Sequence, residues 1–425
     1  MSIVLDRSAM KELAQGFGPI CGSRALPFPV LSHVCFRPAT DGSVEAAGTT
    51  LNEEVVIGLA PGCTPEPLEE PFLFPFAEIK ALARRLGVHD SAGLDPAPGR
   101  TQGIVTVTLN VDGAKVLRRV PTAPMAEFPP LKGPVPTVPC NVGALVATHA
   151  RLSCLASRDP NRPAIGGILL EAAAGCLVAT DGTRACRVPL PDCPFDHDAI
   201  LPPSAFLGRW KPDGAGLACI VTVKGRQYIS LRAGNTLWSG ACIEALYPNY
   251  RMVIPAIGGP WRALLRIDPE DVALLHTAVQ QWTDRNRNAV CLYAGMGHVF
   301  AAEHASEVAK RALLRLPGSV SESTAAVGDV VNARYLLDAL DLGLTETRIG
   351  QPNSPWLFTR PGESGSEESR PVHVLMPMKS GNPDAEDAAA RKAAAAATAD
   401  RASPVPDDPS PDLDFVPFGA ANRAP

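Results

Sequence analysis

The chain repeats one succession of predicted elements three times, and this repetition limits its fold more than any other feature of the sequence. Each stretch opens with a predicted amphipathic helix, at residues 6–15, 142–157 and 268–284. Each continues with a strand and turn of related sequence, reading AAGTTLNEEV, LVATDGTRAC and HVFAAEHASE, and then with a shorter helix that begins at Phe76, Pro202 or Asn332. Self-similar stretches of this kind predict structural units that share one architecture.

The opening helix of the third stretch shows the pattern most clearly. Asp268 can cap its N-terminus, Pro269 occupies the first helical position and Asp271 the third. The apolar residues fall on one face, at Val272, Leu275, Val279 and Trp282. Between the helices, strands such as VTVTLNV alternate apolar and polar residues, as half-buried strands do. The sequence therefore predicts the α+β fold class.

The three stretches predict three similar domains of about 125 residues, at 1–134, 135–259 and 260–380, and a tail at 381–425. The tail contains an alanine tract at residues 393–397 and the segment SPVPDDPSPD, and its acidic residues outnumber its basic ones. Because this composition offers little apolar surface to bury, the tail is predicted to be disordered.

Composition excludes some classes of protein. With 46% hydrophobic and 20% charged residues the chain can bury a large core, so a disordered or fibrous protein is excluded. The 39 Lys and Arg residues against 44 Asp and Glu give a net charge of −5, so any surface that binds nucleic acid must be local. The 11 cysteines form neither a disulfide framework nor a zinc-ribbon pattern, which favours reduced thiols in a cytoplasmic protein. No signal peptide or membrane-spanning run is predicted.

The motifs of common enzymes are absent from the sequence. There is no G-x-x-x-x-G-K-[ST] loop, no G-x-G-x-x-G after a strand, no G-x-S-x-G elbow and no H-E-x-x-H pair. We therefore expect no catalytic residues, no cofactor and no metal site. An enzyme whose site is built from dispersed residues stays open as an alternative, because such a site leaves no motif.

Five strings in order carry a resemblance to a known family. They read RALPFPVLSHV from Arg24, VATDGTRA from Val178, YPNYRMVIP from Tyr247, NARYLLDAL from Asn332 and VLMPM from Val374. Together they resemble the bacterial sliding clamp, the beta subunit of DNA polymerase III, over residues 1–380. The resemblance implies three similar clamp domains and a head-to-tail homodimer that closes a six-domain ring, with helices inside and sheets outside.

The resemblance also implies a function and partners. A ring of this family is a processivity factor in DNA replication: it encircles double-stranded DNA without reading its sequence, through salt-dependent phosphate contacts. Polymerase, clamp loader and repair proteins bind it through short linear motifs. A clamp-like paralogue that keeps the peptide cleft as a scaffold or decoy, without encircling DNA, is the alternative.

Basic residues on the predicted inner helices are the candidates for DNA contact. Lys80 and Arg84 lie four residues apart on one helix face, where an anionic partner relieves their repulsion. Arg24 and Arg162 match family loops that reach DNA, whereas the loop at Pro202 lacks the basic residues that the family usually has. The full set of DNA-binding candidates is Arg24, Lys80, Arg84, Arg151, Arg162, Arg209 and Lys211.

The resemblance implies a peptide-binding cleft between the second and third domains. Its matching residues are Thr180, Gly182, Thr183, Arg184, Ala185, Pro248, Met252, Val253, Asn332, Tyr335, Pro355, Met376, Pro377 and Met378. Ala185 and Met252 depart from the family pattern and predict a reshaped pocket. At the dimer interface, Trp282 is expected opposite the strand around Val120.

Overall fold

The computed structural model describes residues 3–23, 26–60, 63, 68–96, 103–111, 113–130, 133–282, 288–304, 312–323, 325–363, 369–378 and 383–402. Within these ranges, mostly antiparallel strands and a few helices form an α+β fold. The elements follow a similar order in three successive repeats, each of which begins with a strand and a helix.

The first repeat carries two helices, as predicted. Its elements are β1 (Ile3–Asp6), α1 (Arg7–Cys21), β2 (His33–Pro38), β3 (Val44–Thr49), β4 (Glu53–Gly58), β5 (Phe72–Pro75), α2 (Phe76–Arg85), β6 (Ser91–Pro96), β7 (Ile104–Val111) and β8 (Ala114–Pro121). α1 begins after Asp6, whose side chain accepts a hydrogen bond of 2.8 Å from the Ala9 amide. The predicted apolar stripe of α2 is buried, from Phe76 to Leu86.

The second repeat lacks its predicted second helix. Its elements are β9 (Val138–Asn141), α3 (Val142–Leu152), β10 (Ile168–Glu171), β11 (Cys176–Thr180), β12 (Arg184–Pro189), β13 (Ala199–Leu201), β14 (Ala215–Val223), β15 (Arg226–Ala233) and β16 (Thr236–Ala241). The helix predicted from Pro202 is a single turn at residues 205–209, in which the Trp210 amide donates to the Phe206 carbonyl at 2.9 Å. Between Pro203 and Pro212 the segment is too short to propagate a helix.

The third repeat recovers the order of the first. Its elements are β17 (Ala263–Arg266), α4 (Pro269–Trp282), β18 (Ala289–Gly295), β19 (His298–Glu303), β20 (Leu313–Leu316), β21 (Val320–Ser321), β22 (Val327–Asn332), α5 (Ala333–Asp341), β23 (Glu346–Ile349), β24 (Trp356–Thr359) and β25 (Val372–Leu375). The Asp268 side chain accepts a 2.8 Å hydrogen bond from the Glu270 amide, so α4 begins where the sequence predicts.

Two large sheets cross from one repeat to the next. The first has the order β5-β2-β3-β4-β16-β15-β14-β9, and the second has the order β13-β10-β11-β12-β25-β24-β23-β17-β21. They are joined by antiparallel pairs of strands from different repeats: β4 with β16, where Val55 lies opposite Trp238, and β12 with β25, where Ala185 lies opposite Val374. The predicted domain boundaries near Pro134 and Pro260 fall between repeats and stay predictions.

Two smaller sheets lie at the ends of the chain of repeats. β1-β6-β7-β8 belongs to the first repeat and β20-β19-β18-β22 to the third. Each has four strands, and within the described ranges β8 and β20 each pair with one strand only. The helices pack on the sheets around a core that runs through all three repeats and contains Phe17, Trp238 and Trp356.

The prediction of disorder after residue 380 was wrong for α6 (Pro383–Ala402). Its buried residues Ala390 and Ala394 pack on the third-repeat sheet against Tyr293 and Phe300. Alanine has the highest helix propensity, and an apolar sheet face was present to receive the helix. Neither α6 nor any other helix in the described ranges is long and apolar enough to cross a membrane. Residues 403–425 of the predicted tail lie outside the described residues.

Candidate functional site

A groove between the first and second repeats collects three of the predicted DNA-binding residues. Lys80 from α2 and Arg209 and Lys211 from the turn of the second repeat line a space of about 850 Å³. Trp210 forms part of its floor and packs against Phe206 with ring centroids 5.5 Å apart. The structure therefore brings together basic residues that lie 130 positions apart in sequence.

Small residues of α1 and its C-terminal end line one side of the groove. Gly16, Gly18 and Gly22 line it together with Ala14, and Glu12 is its one acidic lining residue. Arg84 is exposed one turn beyond Lys80 on α2, where it extends the basic surface. Sequence reasoning missed the glycine wall, although the G-x-G-P-x-x-G spacing in α1 was a readable signal.

The remaining DNA-binding candidates lie elsewhere. Arg151 is exposed in the last turn of α3. Arg162 reaches the hairpin of the second repeat: its Nη1 donates to the Asp181 carbonyl at 3.2 Å, and a Cβ on Gly182 would lie 2.7 Å from both of its terminal nitrogens. Arg162 thus lies against the hairpin that carries part of the other predicted site. Arg24 lies outside the described residues.

The hairpin at residues 180–185 is the centre of the predicted peptide site, and its own side chains hold its shape. The Thr180 hydroxyl donates to the Arg184 carbonyl at 2.6 Å and accepts from the Gly182 amide at 3.0 Å. Asp181 accepts bonds of 2.9 and 2.6 Å from the amide and hydroxyl of Thr183. Gly182 has φ +93°, a conformation that favours glycine. Burial raises the pKa of Asp181, but the Thr183 hydrogen bonds and the Arg184 charge outweigh it, so the pKa is lowered.

Arg184 joins the second and third repeats. Its buried guanidinium pairs with Asp181 at 3.0 Å, pairs with Asp338 of α5, and donates to the Cys154 carbonyl at 3.1 Å. Its Cζ lies 3.9 Å from the centre of the Tyr335 ring. Removing one partner of a buried pair leaves the other charge unsatisfied, at a cost of about 3–5 kcal/mol. Two predicted peptide contacts, Arg184 and Tyr335, therefore first serve to hold the junction.

Sequence reasoning missed Asp338 as the partner of Arg184. Asp338 follows Tyr335 by three positions on α5, a spacing that places both side chains on one helix face. The Asn332 side chain caps the same helix by accepting from the Tyr335 amide at 3.2 Å. Pro355, half-buried, precedes β24.

The strand end at Met376 completes the junction. The Met376 amide donates to the Thr183 carbonyl at 3.0 Å, and the Met378 amide donates to the Val330 carbonyl at 2.8 Å. Met376 is 42% exposed, whereas Met378 is partly buried against the apolar cluster between α6 and the third-repeat sheet. Pro377 between them is half-buried.

A segment after β16 crosses the outer face of this junction. Ile254 packs on a cluster over β10 and β11 and also on a cluster over β24 and β25, so it spans both repeats. Just before it, Met252 and Val253 are 83% and 50% exposed, and Pro248 is also exposed. The buried Ala185 lies beneath, opposite Val374. The junction thus presents exposed apolar side chains from two predicted strings, and Leu246, which the sequence reasoning missed, is exposed in the same segment.

The residues predicted for the dimer interface lie near, but not on, exposed surfaces. Val120 belongs to the edge strand β8, but its side chain is buried in the first repeat, and the exposed apolar residues of β8 are Val116 and Leu117. Because this side chain is only 2% exposed, Val120 can offer little but its backbone to a partner. Trp282 ends α4 and packs partly buried against its own core. Their mutual contact stays a prediction.

Comparisons with known proteins give similarity in structure only. No protein-family model and no curated protein sequence matches the chain. Its structure is similar to the DNA polymerase sliding clamp of Pseudomonas aeruginosa, at 20% identity and a TM-score of 0.73, over 89% of this chain and 100% of that one. The beta subunit of DNA polymerase from Streptococcus pyogenes gives 15% identity and a TM-score of 0.72, with the same coverage.

A third structure gives a similar match. The DNA polymerase III beta subunit of Thermotoga maritima gives 15% identity and a TM-score of 0.70, over 89% of this chain and 99% of that one. Each match covers 89% of this chain and 99% or more of the other chain. The fold of this chain is therefore that of the bacterial sliding clamps, the beta subunits of DNA polymerase III.

Proposed function

We propose that this protein is a DNA polymerase processivity factor, a sliding clamp in which two copies close a ring around duplex DNA. The observation that carries the proposal is the pair of free sheet edges at the two ends of the chain of repeats. A closed ring needs no bond-making chemistry, because its topology alone keeps it on DNA. We accordingly assign no catalytic role to any residue.

Both internal junctions follow one pairing rule. The third strand after the opening helix of one repeat pairs with the last strand of the next repeat: β4 with β16, and β12 with β25. Applied once more, the rule pairs β20 of the third repeat with β8, the last strand of a first repeat. The chain's own β8 and β20 are not paired with each other, so a second copy supplies the partner.

The sheet that this pairing would build repeats an observed one. Joining the two small sheets gives the order β22-β18-β19-β20-β8-β7-β6-β1, strand for strand equivalent to β5-β2-β3-β4-β16-β15-β14-β9. It would also cover Leu117 and Leu313, which are 70% and 49% exposed on the two edges. Unpaired apolar edges are a liability in a free monomer. A two-fold axis would form the contact twice and close a ring of six repeats.

The basic groove supports contact with DNA. No carboxylate in the described ranges forms an ion pair with Lys80, Arg209 or Lys211. By contrast, Arg118, which bonds Glu78 of α2 at 2.8 and 2.9 Å, is already neutralised. Unneutralised cations on a shared groove attract phosphates without regard to sequence. Arg84 and Arg151 would add contacts along α2 and α3.

The junction between the second and third repeats supports capture of short peptides. Exposed Met252, Val253 and Met376 offer apolar anchors beside a hairpin that its own hydrogen bonds hold rigid. Unbranched methionine side chains adapt to different partners. Polymerase, clamp loader and repair proteins that carry such motifs would be tethered to DNA, which raises their effective concentration at the template.

The ring is tested by retention on DNA. The full chain, loaded on a nicked circular plasmid, should stay bound during gel filtration and be lost when the plasmid is linearised. Sedimentation should give twice the chain mass of 44.7 kDa. Leu117→Arg or Leu313→Arg should give monomers and abolish retention. Met296→Arg, on an exposed hairpin turn of the same third-repeat sheet, is the matched control and should remain dimeric.

The outcome also separates the ring from its alternative. A monomer that still binds motif peptides would support a scaffold that does not encircle DNA.

For the DNA groove, Lys80→Ala, Arg209→Ala and Lys211→Ala should each flatten the salt dependence of binding by about 0.9 per lost phosphate contact. Arg37→Ala, whose guanidinium pairs with Glu45 at 3.1 Å on a strand, should leave that slope unchanged. If the three groove variants also leave the slope unchanged, the groove does not contact DNA.

A further inference from the structure

Three potential metal ligands meet where α6 lies on the third-repeat sheet. A thiol from Cys291, an imidazole nitrogen from His304 and a carboxylate oxygen from Glu386 all lie within 4.8 Å of one another. Cys291 is on β18, His304 follows β19, and Glu386 is in the first turns of α6. Neither the sequence motifs nor the clamp function accounts for this cluster.

The strand register explains why the first two groups meet. Cys291 lies opposite Ala302 in the β18 and β19 pair, and His304 is two residues beyond Ala302, on the same face. Cys291 Sγ and His304 Nδ1 are 3.7 Å apart. The face that carries them is the one that α6 covers, so both groups point at the helix.

The close approach of α6 brings the third group. A Cβ on Gly328 of β22 would lie 2.4 Å from the Glu386 carbonyl oxygen, so only glycine lets the helix lie this near. Tyr293 donates its hydroxyl to Glu386 Oε2 at 3.0 Å, which fixes the carboxylate. Cys291 is fully buried and Glu386 is 4% exposed. Hydrogen bonds that orient a ligand in this way are typical of metal sites.

The donor set selects the class of ion. One sulfur, one nitrogen and one oxygen suit zinc, whereas calcium and magnesium need several oxygens. Donor atoms bound to one tetrahedral zinc at about 2.0–2.3 Å lie about 3.5 Å apart, close to the observed sulfur-to-nitrogen distance. A thiolate and a carboxylate also balance the two charges of the ion, so the buried site would be neutral.

A related cluster in the second repeat lacks the imidazole. Cys176 Sγ lies 3.7 Å from Glu171 Oε2, and Tyr250 donates its hydroxyl to the same oxygen. There the Arg251 guanidinium bonds the other carboxylate oxygen at 2.6 Å. A guanidinium already supplies the positive charge and cannot ligate a metal, so this cluster serves as an internal reference.

We propose that Cys291, His304 and Glu386 bind a zinc ion that fastens α6 to the sheet of the third repeat. The thiol releases its proton to solvent as the sulfur binds, and water takes the fourth position. Zinc would then strengthen the attachment of the helix, since one of the three ligands comes from α6 and two from the sheet. The proposed ring contact at β20 is not required for this zinc site.

The test uses the full chain, stripped with chelator and titrated with zinc or cobalt alone. Zinc should bind one ion per chain and raise the melting temperature. Cobalt should give tetrahedral visible bands and a thiolate charge-transfer band that zinc abolishes. Cys291→Ser should remove the charge-transfer band, and Glu386→Gln and His304→Gln should weaken zinc binding at least tenfold.

The control is Cys176→Ser, which alters the related cluster and should keep the band and the stoichiometry. Failure of the stripped wild-type chain to bind zinc or cobalt at micromolar concentration would overturn the proposal, and this readout needs no variant to fold. A charge-transfer band that survives in Cys291→Ser would also overturn it. Because DNA retention is not measured, failure here is distinct from failure of the clamp function.

Discussion

The two four-stranded sheets are built from different halves of their repeats, and they also differ in their second face. In the first repeat, β7 alternates buried Val105 and Val107 with partly exposed Thr106 and Thr108, so one face of the sheet meets solvent. In the third repeat every residue of β18 is buried, because α6 covers the face that solvent would otherwise meet. A four-stranded sheet of this kind therefore needs an added helix where both of its faces are apolar.

This comparison shows what holds the C-terminal helix in place. The alanine face of α6 offers little area for each residue, so most of the buried apolar surface comes from the sheet, notably Tyr293 and Phe300. An ion pair between Arg262 and Asp387 and a 2.9 Å bond from the Gly328 amide to Asp387 Oδ1 set the position of the helix along the strands. Composition alone predicts disorder for α6, whereas the sheet beneath it predicts order.

Removing α6 should have the largest effect, because it exposes the apolar second face of the third-repeat sheet. A chain truncated after Met378 re-exposes Tyr293 and Phe300, which should lower the free energy of unfolding by about 3–5 kcal/mol. Denaturant unfolding and binding of a hydrophobic dye measure this. Truncation after Ala402 keeps the helix and should match the full chain. Equal stability of the two truncations would mean that the cover contributes nothing.

The next largest effect is expected from a single added methyl group, which should destabilise the covered sheet but not the uncovered one. Gly328→Ala places a Cβ 2.4 Å from backbone of α6 and should cost about 1–3 kcal/mol by pushing the helix away. Gly93→Ala in β6 is the matched change in the uncovered sheet, where the nearest atom is 3.6 Å away, and it should be tolerated. Thermal unfolding of both variants checks the contrast, which would fail if the two variants melted together.

The covered sheet should also respond to pH. Asp329 of β22 is buried, and burial raises the pKa of its carboxyl, against the opposing effect of hydrogen bonds from Val330 and Trp356. Because the folded state holds this proton to higher pH than the unfolded state, stability should fall as pH rises from about 4 through the folded pKa. Asp329→Asn should remove that decline, measured as the free energy of unfolding from pH 4 upward. A decline of equal size in the variant would assign it to other groups.

The smallest effect is expected on the open face of the first sheet. Thr108→Val changes a partly exposed side chain on β7 and should alter the free energy of unfolding by no more than about 0.5 kcal/mol. Chemical denaturation is precise enough to measure this. A loss above 1 kcal/mol would show that something in solution covers this face as well.

Local signals predicted the helices and their beginnings. Asp6, Asn332 and Asp268 cap α1, α5 and α4 as their positions in the sequence suggest, and the apolar stripe of α2 is buried as predicted. The continuous apolar run AVCLYAG in β18 was the overlooked signal for α6, because strands buried on both faces do not alternate. The prediction of a helix from Pro202 was wrong, because the segment between Pro203 and Pro212 is too short to propagate one.

The sites depended more on tertiary pairing than on local pattern. The hairpin at residues 180–185 was readable, but the burial of Arg184 was not, since its partner Asp338 lies 154 positions away. The cluster of Cys291, His304 and Glu386 has no fixed spacing, and it forms only through strand register and helix docking. The basic groove likewise draws on two repeats.

The strand pairs that join repeats also determine how long a newly made strand must wait for its partner during synthesis. Val55 lies opposite Trp238, and Arg187 lies opposite Val372. In each pair the partner is about 185 residues further along the chain. At roughly 5–20 residues per second, β4 and then β12 leave the ribosome and remain without their partners for about 10–40 s. During that interval a neighbouring nascent chain can offer the same strand. Misassembly between chains made on one message is thus the hazard of this architecture, and slower translation of the later repeats should increase it.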